Sequence, residues 1–138
     1  MSAPVEALRK VPLFANLDEK DLDQLARQMH ERRFPEGAEV TTEGAGGAGF
    51  FVIAEGNADV SIGGQHRTTL GPGDHFGEVA LIDDGVRSAS IVAATDLLCY
   101  GLTPWEFRPF VEEHPKVAWA LLESLARRSR EASQASGG

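Results

Sequence analysis

The sequence has a single cysteine, no long apolar run and no surplus of positive charge, and each of these features argues against certain classes of protein or partner. Cys99 cannot form a disulfide within the chain, and its apolar neighbours favour a buried side chain over a nucleophile. No apolar stretch approaches the roughly 20 residues that a membrane-spanning helix needs. The N-terminal sequence MSAPVEALRK lacks the apolar core of a secretory signal peptide. We therefore expect a cytoplasmic protein that does not span a membrane.

Acidic residues outnumber basic ones, with 21 Asp and Glu against 13 Lys and Arg and a formal net charge of −8. Such a charge disfavours DNA, RNA and anionic membranes as partners, so we expect none of them. The chain has 138 residues, near the usual size of one domain, and its hydrophobic content of 42% is ordinary for a globular protein. One domain is the expected organisation.

The residue pattern changes twice along the chain, from helical to strand-rich and back to helical. Residues 1–31 are predicted to be helical, residues 32–102 to form short strands, and residues 103–131 to form two helices. Small residues follow at positions 132–138, which we expect to be a disordered tail. The pattern predicts a single, mainly β domain over residues 1–131, with helices at both ends.

Glycine-rich turns separate the short strands in the middle of the chain. A Gly63-Gly64 pair between two strand patterns predicts a two-residue hairpin. Evenly spaced short strands of this kind are typical of a β-sandwich or a barrel-like roll. The predicted strands are 38–42, 50–54, 58–62, 66–70, 88–93 and 97–102.

The helices are predicted from apolar spacing and from end signals. Residues 18–31 carry apolar side chains at the i, i+3, i+4, i+7 spacing of one buried face. Near the C-terminus a helix begins at Pro104, and Pro109 is predicted to end or kink it, because a proline ring clashes with the preceding turn. A second C-terminal helix is predicted to begin near Pro115.

The most specific pattern lies at residues 76–90, FGEVALIDDGVRSAS. Gly77 and Glu78 open a short helical turn, whose first N–H groups attract phosphate. Arg87 follows nine residues after Glu78 and offers a guanidinium that matches two phosphate oxygens. Glu78 repels phosphate but accepts a hydrogen bond from a sugar hydroxyl. The pair predicts a site for a ligand with a sugar and a phosphate; an exposed Glu78–Arg87 salt bridge worth ~0–1 kcal/mol is the alternative.

The whole string, F-G-E-x-A-L followed after five residues by R-S-A-S-I, resembles the phosphate-binding cassette of the cyclic nucleotide-binding domain family. The resemblance implies that Glu78 accepts the ribose 2′-hydroxyl and that Arg87 binds the cyclic phosphate with help from backbone amides. The ligand-binding residues that it implies are Phe76, Gly77, Glu78, Val79, Ala80, Arg87, Ser88 and Ala89.

The family resemblance also implies a fold and a mechanism. The fold is an antiparallel, jelly-roll-like β-roll, or double-stranded β-helix, whose C-terminal helices close over the base as a lid. Leu125 and Arg128 are the candidates for contact with the base. Cyclic AMP is the expected ligand and cyclic GMP stays open, because some cyclic-GMP-selective members have a threonine where Ser88 stands. The implied function is a regulatory domain without catalytic activity, which signals through its C-terminal helices to an unknown effector; a homodimer is left open.

Three other interpretations of the sequence compete with this one. Residues 44–49 satisfy G-x-G-x-x-G, but a strand pattern follows where dinucleotide binding needs a helix. A cupin-like metal-binding enzyme needs converging ligands, whereas the histidines are scattered. A protein-interaction scaffold that no longer senses nucleotide would have no need for both Glu78 and Arg87. The histidines are His30, His66, His75 and His114.

Overall fold

Two antiparallel sheets and five α-helices make up the residues that the computed structural model describes, which are 3–41, 49–82 and 89–137. One sheet has the strand order β1-β8-β3-β6 and the other has the order β2-β7-β4-β5. This architecture confirms the predicted mainly β fold with helices at both ends. The elements are α1 (Val5–Arg9), a 3-10 turn (Pro12–Phe14), α2 (Glu19–Gln28), β1 (His30–Phe34), β2 (Glu39–Thr41), β3 (Phe50–Glu55), β4 (Ala58–Ile62), β5 (Gln65–Leu70), β6 (His75–Phe76), α3 (Glu78–Ile82), β7 (Ser90–Ala93), β8 (Leu97–Leu102), α4 (Pro104–Glu113) and α5 (Pro115–Gly137).

The predicted hairpin at Gly63 and Gly64 joins β4 to β5. Both glycines have positive φ, 59° and 80°, a conformation that residues with a side chain rarely adopt. Two such residues make a turn whose twist matches that of the strands on either side. The hairpin is confirmed, with Ile62 opposite Gln65, and it leaves β5 at the edge of its sheet.

Strand β3 divides its side chains between two buried clusters. Phe50 and Val52 belong to the cluster that joins the first sheet to the helices, whereas Phe51 and Ile53 belong to the cluster that both sheets share. The division follows from the period of two in a strand, which sends successive side chains to opposite faces. Cys99 lies in the shared cluster with no exposed surface, and burial raises the pKa of its thiol to about 12. The prediction of a buried cysteine is confirmed.

The N-terminal boundary predicted from the sequence is wrong. The helix predicted over residues 18–31 ends at Gln28, and His30–Phe34 form β1 instead, so the sheets begin before residue 32. Met29 has extended backbone angles and is buried, which turns the chain out of the helix. The strand has a charged sequence because it lies at the edge of its sheet, paired only on one side with β8. Because its residues are polar, the strand has no apolar alternation from which the sequence could predict it.

The C-terminal helices also differ from their predicted limits. Pro109 does not end α4, which runs from Pro104 to Glu113. A proline removes one backbone donor, and a capping box of Thr103 and Glu106 stabilises the start of this helix. Helix α5 begins at Pro115 as predicted but continues to Gly137. The sequence predicts a disordered tail over 132–138, whereas residues 132–137 belong to this helix and residue 138 lies outside the described residues.

None of the helices in the described part of the chain is both long and apolar enough to cross a membrane.

Helix α5 packs on the domain through one face only, and two adjacent leucines test this packing. Leu121 is 3% exposed and Leu122 is 55% exposed. We predict that Leu121→Ala lowers the free energy of unfolding by about 2–5 kcal/mol, because it leaves a cavity in the core. Leu122→Ala removes the same atoms from the surface and should lower it by less than about 1 kcal/mol.

Urea unfolding followed by circular dichroism measures both values. Equal losses for the two variants would show that α5 does not pack as described.

Candidate functional site

A cavity of about 810 Å³ lies between the strands and helix α5. Its walls come from the 3-10 turn, from β4, β5 and β7, and from the segment that contains β6 and α3. Helix α5 closes one side. The residues predicted to bind a ligand that line this cavity are Phe76, Gly77, Glu78, Val79 and Ala89, together with Arg128 from the predicted lid.

The other predicted residues have different outcomes. Leu125 is half-buried on α5 and does not line the cavity. Ala80 is part of helix α3. Arg87 and Ser88 lie outside the described residues, as does most of the glycine-rich segment at residues 44–49. The structure therefore brings the carboxylate half of the predicted site to the cavity and leaves the guanidinium half as a prediction.

Gly77 directs the chain from β6 into α3. Strand β6 is held to β3 by the pairs Phe51–Phe76 and Val52–His75, and the rings of Phe51 and Phe76 stack with their centroids 5.4 Å apart. Gly77 then has a φ of 99°, which a residue with a side chain would adopt only with strain. This turn puts Glu78 at the first position of α3, beside the cavity.

Glu78 is the buried charge of the site, with a side chain only 1% exposed. Nη1 of Arg128 donates a hydrogen bond to Oε1 of Glu78 at 2.7 Å, and the Arg128 side chain is 45% exposed. Nη2 of Arg128 also approaches the carbonyl oxygen of His75, at 3.5 Å. Helix α5 is therefore connected to the β6–α3 segment by a charge-assisted hydrogen bond between residues 50 positions apart.

The same carboxylate has a second neighbour, His75. Nδ1 of His75 lies 3.4 Å from Oε2 of Glu78, and the His75 side chain is 11% exposed. Burial by itself would raise the pKa of Glu78, but the His75 imidazole and the Arg128 guanidinium outweigh that effect and lower it. Glu78 is thus ionised at neutral pH although it has almost no contact with solvent.

The fold brings to the cavity several residues that the sequence pattern does not predict as ligand-binding. His75 is one of them, although its place three residues before Glu78 is a local signal. The contributions of β5 and α5 had no local signal, because only the tertiary fold brings these elements to the cassette. They include Thr68, Thr69, Ser124 and Arg127.

The described part of the chain has no candidate metal centre. Within residues 3–41, 49–82 and 89–137, His, Cys, Asp and Glu side chains form no group of three or more that could hold a metal ion. The histidines instead lie near single carboxylates, as His30 does with Glu106 at 3.1 Å and His114 with Asp21 at 3.7 Å.

The β-roll and helix α5 border a cavity lined by both polar and apolar residues, an arrangement that suits a ligand-binding domain. Residues 31–114 match the family model of the cyclic nucleotide-binding domain, and the chain belongs to this family. The predicted family is confirmed.

Known relatives include proteins with different names and lengths. The chain is 36% identical over 126 residues to the cyclic AMP receptor protein of Thermus thermophilus, covering 88% of this chain and 58% of the relative. It is 35% identical over 130 residues to the cAMP-dependent protein kinase regulatory subunit of Schizosaccharomyces pombe, covering 82% of this chain and 32% of the relative. The chain therefore spans less than two thirds of the length of either relative.

Solved structures support the same fold. The crystal structure of the Thermus thermophilus catabolite activator protein superposes with a TM-score of 0.80 at 35% identity, over 89% of this chain and 60% of that chain.

The Glu78–Arg128 contact makes a prediction that a double-mutant cycle can test. We predict that Glu78→Gln and Arg128→Gln are coupled in the free energy of unfolding by at least about 1 kcal/mol, because Arg128→Gln leaves the buried Glu78 carboxylate without its cationic partner and Glu78→Gln removes the charge that Arg128 binds. Urea unfolding of the two single variants and the double variant gives the coupling.

The control is the exposed pair Arg108 and Glu112, which lie 3.6 Å apart on α4 with side chains 83% and 63% exposed. Its coupling should stay below about 0.5 kcal/mol. A Glu78–Arg128 coupling as small as that of the control would contradict the described connection between α5 and the cassette.

Proposed function

We propose that this protein binds cyclic AMP in preference to cyclic GMP and acts as a regulatory domain without catalytic activity of its own. The observation that carries the proposal is Glu78, an ionised and buried carboxylate that borders a cavity of about 810 Å³. This volume lies in the range of ~300–1,000 Å³ that is usual for small-molecule sites. A buried carboxylate needs hydrogen-bond donors, and a ribose hydroxyl supplies one.

The sugar would bind at Glu78 because this carboxylate is not fully satisfied. Arg128 occupies Oε1, whereas Oε2 has no hydrogen-bond partner among the described residues. A buried acceptor without a partner destabilises a protein by roughly 1–3 kcal/mol. A carboxylate with such a deficiency favours a ligand that brings hydrogen-bond donors to Glu78, such as a ribose, over an apolar ligand.

The phosphate would bind at the other end of the cassette, through Arg87 and the backbone amides around it. Ala89 lines the cavity directly after this segment, and its carbonyl oxygen accepts a hydrogen bond from the Thr41 hydroxyl at 3.2 Å. That bond holds the start of β7 against β2. An arginine is suited to the task because its guanidinium stays charged and binds two phosphate oxygens at once.

The base would lie between β4, β5 and helix α5. Val60 and Leu70 offer apolar surface on the strand side, and Arg128 faces the cavity from the helix. Arg128 is the favoured candidate for contact with the base, since Leu125 does not line the cavity. A guanidinium can stack on an aromatic base.

Binding would be transmitted through α5. The ribose hydroxyl and Arg128 compete for Glu78, whose side chain is 1% exposed while Arg128 covers it. A bound nucleotide therefore favours an arrangement in which Arg128 leaves Glu78 and α5 repacks over the base. The ligand shifts this equilibrium only by as much as it prefers one arrangement over the other.

The proposed setting is the cytoplasm, with an effector protein or domain as the partner that receives the signal. The net charge of −8 supports a partner other than DNA, RNA or an anionic membrane.

Isothermal titration calorimetry with cyclic AMP and cyclic GMP tests the proposal. We predict that the protein binds cyclic AMP more tightly than cyclic GMP, and that Arg87→Ala weakens the binding of cyclic AMP by about 30- to 1000-fold. Such a loss corresponds to ~2–4 kcal/mol for a charge-assisted, bidentate contact.

Arg67→Ala is the matched control, because Arg67 lies exposed on β5 and does not line the cavity. It should leave the affinity unchanged. Failure of the wild-type protein to bind either nucleotide at millimolar concentration would favour the scaffold alternative, and equal affinities of wild type and Arg87→Ala would remove Arg87 from the phosphate site.

A further inference from the structure

His75 is a largely buried histidine that has no role in the proposed binding of a nucleotide. It lies on β6, lines the cavity, and has a side chain only 11% exposed. Its ring packs against Phe50 with the ring centroids 5.8 Å apart. This packing orients the imidazole. Glu78 lies close to it because only Phe76 and Gly77 separate the two residues in the chain.

The two side chains have complementary needs. Among the residues that the structure describes, Nδ1 of His75 and Oε2 of Glu78 are the buried side-chain polar atoms without a hydrogen-bond partner. They lie 3.4 Å apart, whereas a hydrogen bond between nitrogen and oxygen is about 2.9–3.0 Å long. A shift of roughly half an ångström therefore joins a free donor to a free acceptor.

Binding of the ribose would make that shift favourable. While Arg128 stays on Oε1, the charge of Glu78 has a cationic partner in the helix. When a neutral hydroxyl takes the place of Arg128, the carboxylate keeps its charge and loses that partner. A buried charge without a partner is strongly destabilising, so any further donor within reach of the carboxylate gains importance. His75 is such a donor.

We propose that His75 is a positioning residue for Glu78, whose Nδ1–H binds Oε2 and holds the carboxylate so that Oε1 faces the ribose 2′-hydroxyl. The inference rests on the proposed function, since it concerns how the same site recognises the sugar. It assigns the imidazole a defined tautomer, with the proton on Nδ1 in the complex.

Two variants separate positioning from packing. His75→Phe keeps an aromatic ring against Phe50 but removes the donor, whereas His75→Asn puts an amide N–H near the place of Nδ1. The probes are cyclic AMP and 2′-deoxy cyclic AMP, which lacks the hydroxyl that Glu78 would bind. The readout is the ratio of their affinities, measured by calorimetry on the full chain.

We expect His75→Phe to weaken the binding of cyclic AMP by about tenfold, which is the effect of one hydrogen bond to a charged group. The affinity for 2′-deoxy cyclic AMP should stay nearly unchanged. His75→Asn should restore most of the ratio. In a Glu78→Gln background, His75→Phe should have no further effect on the ratio. In the wild-type complex, ¹⁵N NMR of the imidazole should find the proton on Nδ1.

If His75→Phe weakened the binding of both nucleotides equally, His75 would act through packing, and this inference alone would be overturned. An imidazole without a proton on Nδ1 in the complex would also overturn it, even if the substitutions impaired folding. Absence of any binding by the wild-type protein is a different result, which would overturn the proposed function and this inference with it.

Discussion

The structure depends on how it accommodates one buried negative charge. Glu78 has no exposed surface, yet its pKa is lowered, because Arg128 and His75 stabilise the ionised form more than burial destabilises it. Both neighbours lie beside the cavity, His75 on β6 of the same segment and Arg128 on α5 from the C-terminal end. Glu78 thereby connects the β6–α3 segment with helix α5.

Helix α5 has two attachments of different kinds. Val117 and Leu121 belong to the apolar core and hold its first turns on the domain, whereas Arg128, further along the helix, is attached by a polar contact. Val117 and Leu121 do not line the cavity, whereas a ribose that binds Glu78 as proposed would compete with the hydrogen bond from Arg128. Under the proposed function, the polar contact is the part of the helix on which a ligand would act, and the apolar part would serve as the pivot.

The parts of the molecule that could be predicted from sequence were those with local signals. The Gly63-Gly64 hairpin and the start of α5 follow from residue type and spacing, and the family follows from the ordered string around Glu78, whereas the binding of a sugar by Glu78 stays a prediction. Strand β1 could not be predicted, because an edge strand with charged residues has no apolar alternation to reveal it. The pairing of Glu78 with Arg128 joins residues 50 positions apart, and only the tertiary fold determines it. Arg87 and Ser88 remain predictions from the sequence.

The central claim, that a cyclic nucleotide acts on α5 through Glu78, is tested most directly by a distance measured in solution. Spin labels at Gln65→Cys on β5 and Arg130→Cys on α5 would occupy exposed positions, and Cys99 would stay unlabelled because it is fully buried. Pulsed electron paramagnetic resonance should find that saturating cyclic AMP shifts the distance distribution, and that Glu78→Gln abolishes the shift. An identical distribution with and without nucleotide, in a protein that calorimetry shows to be saturated, would contradict the account.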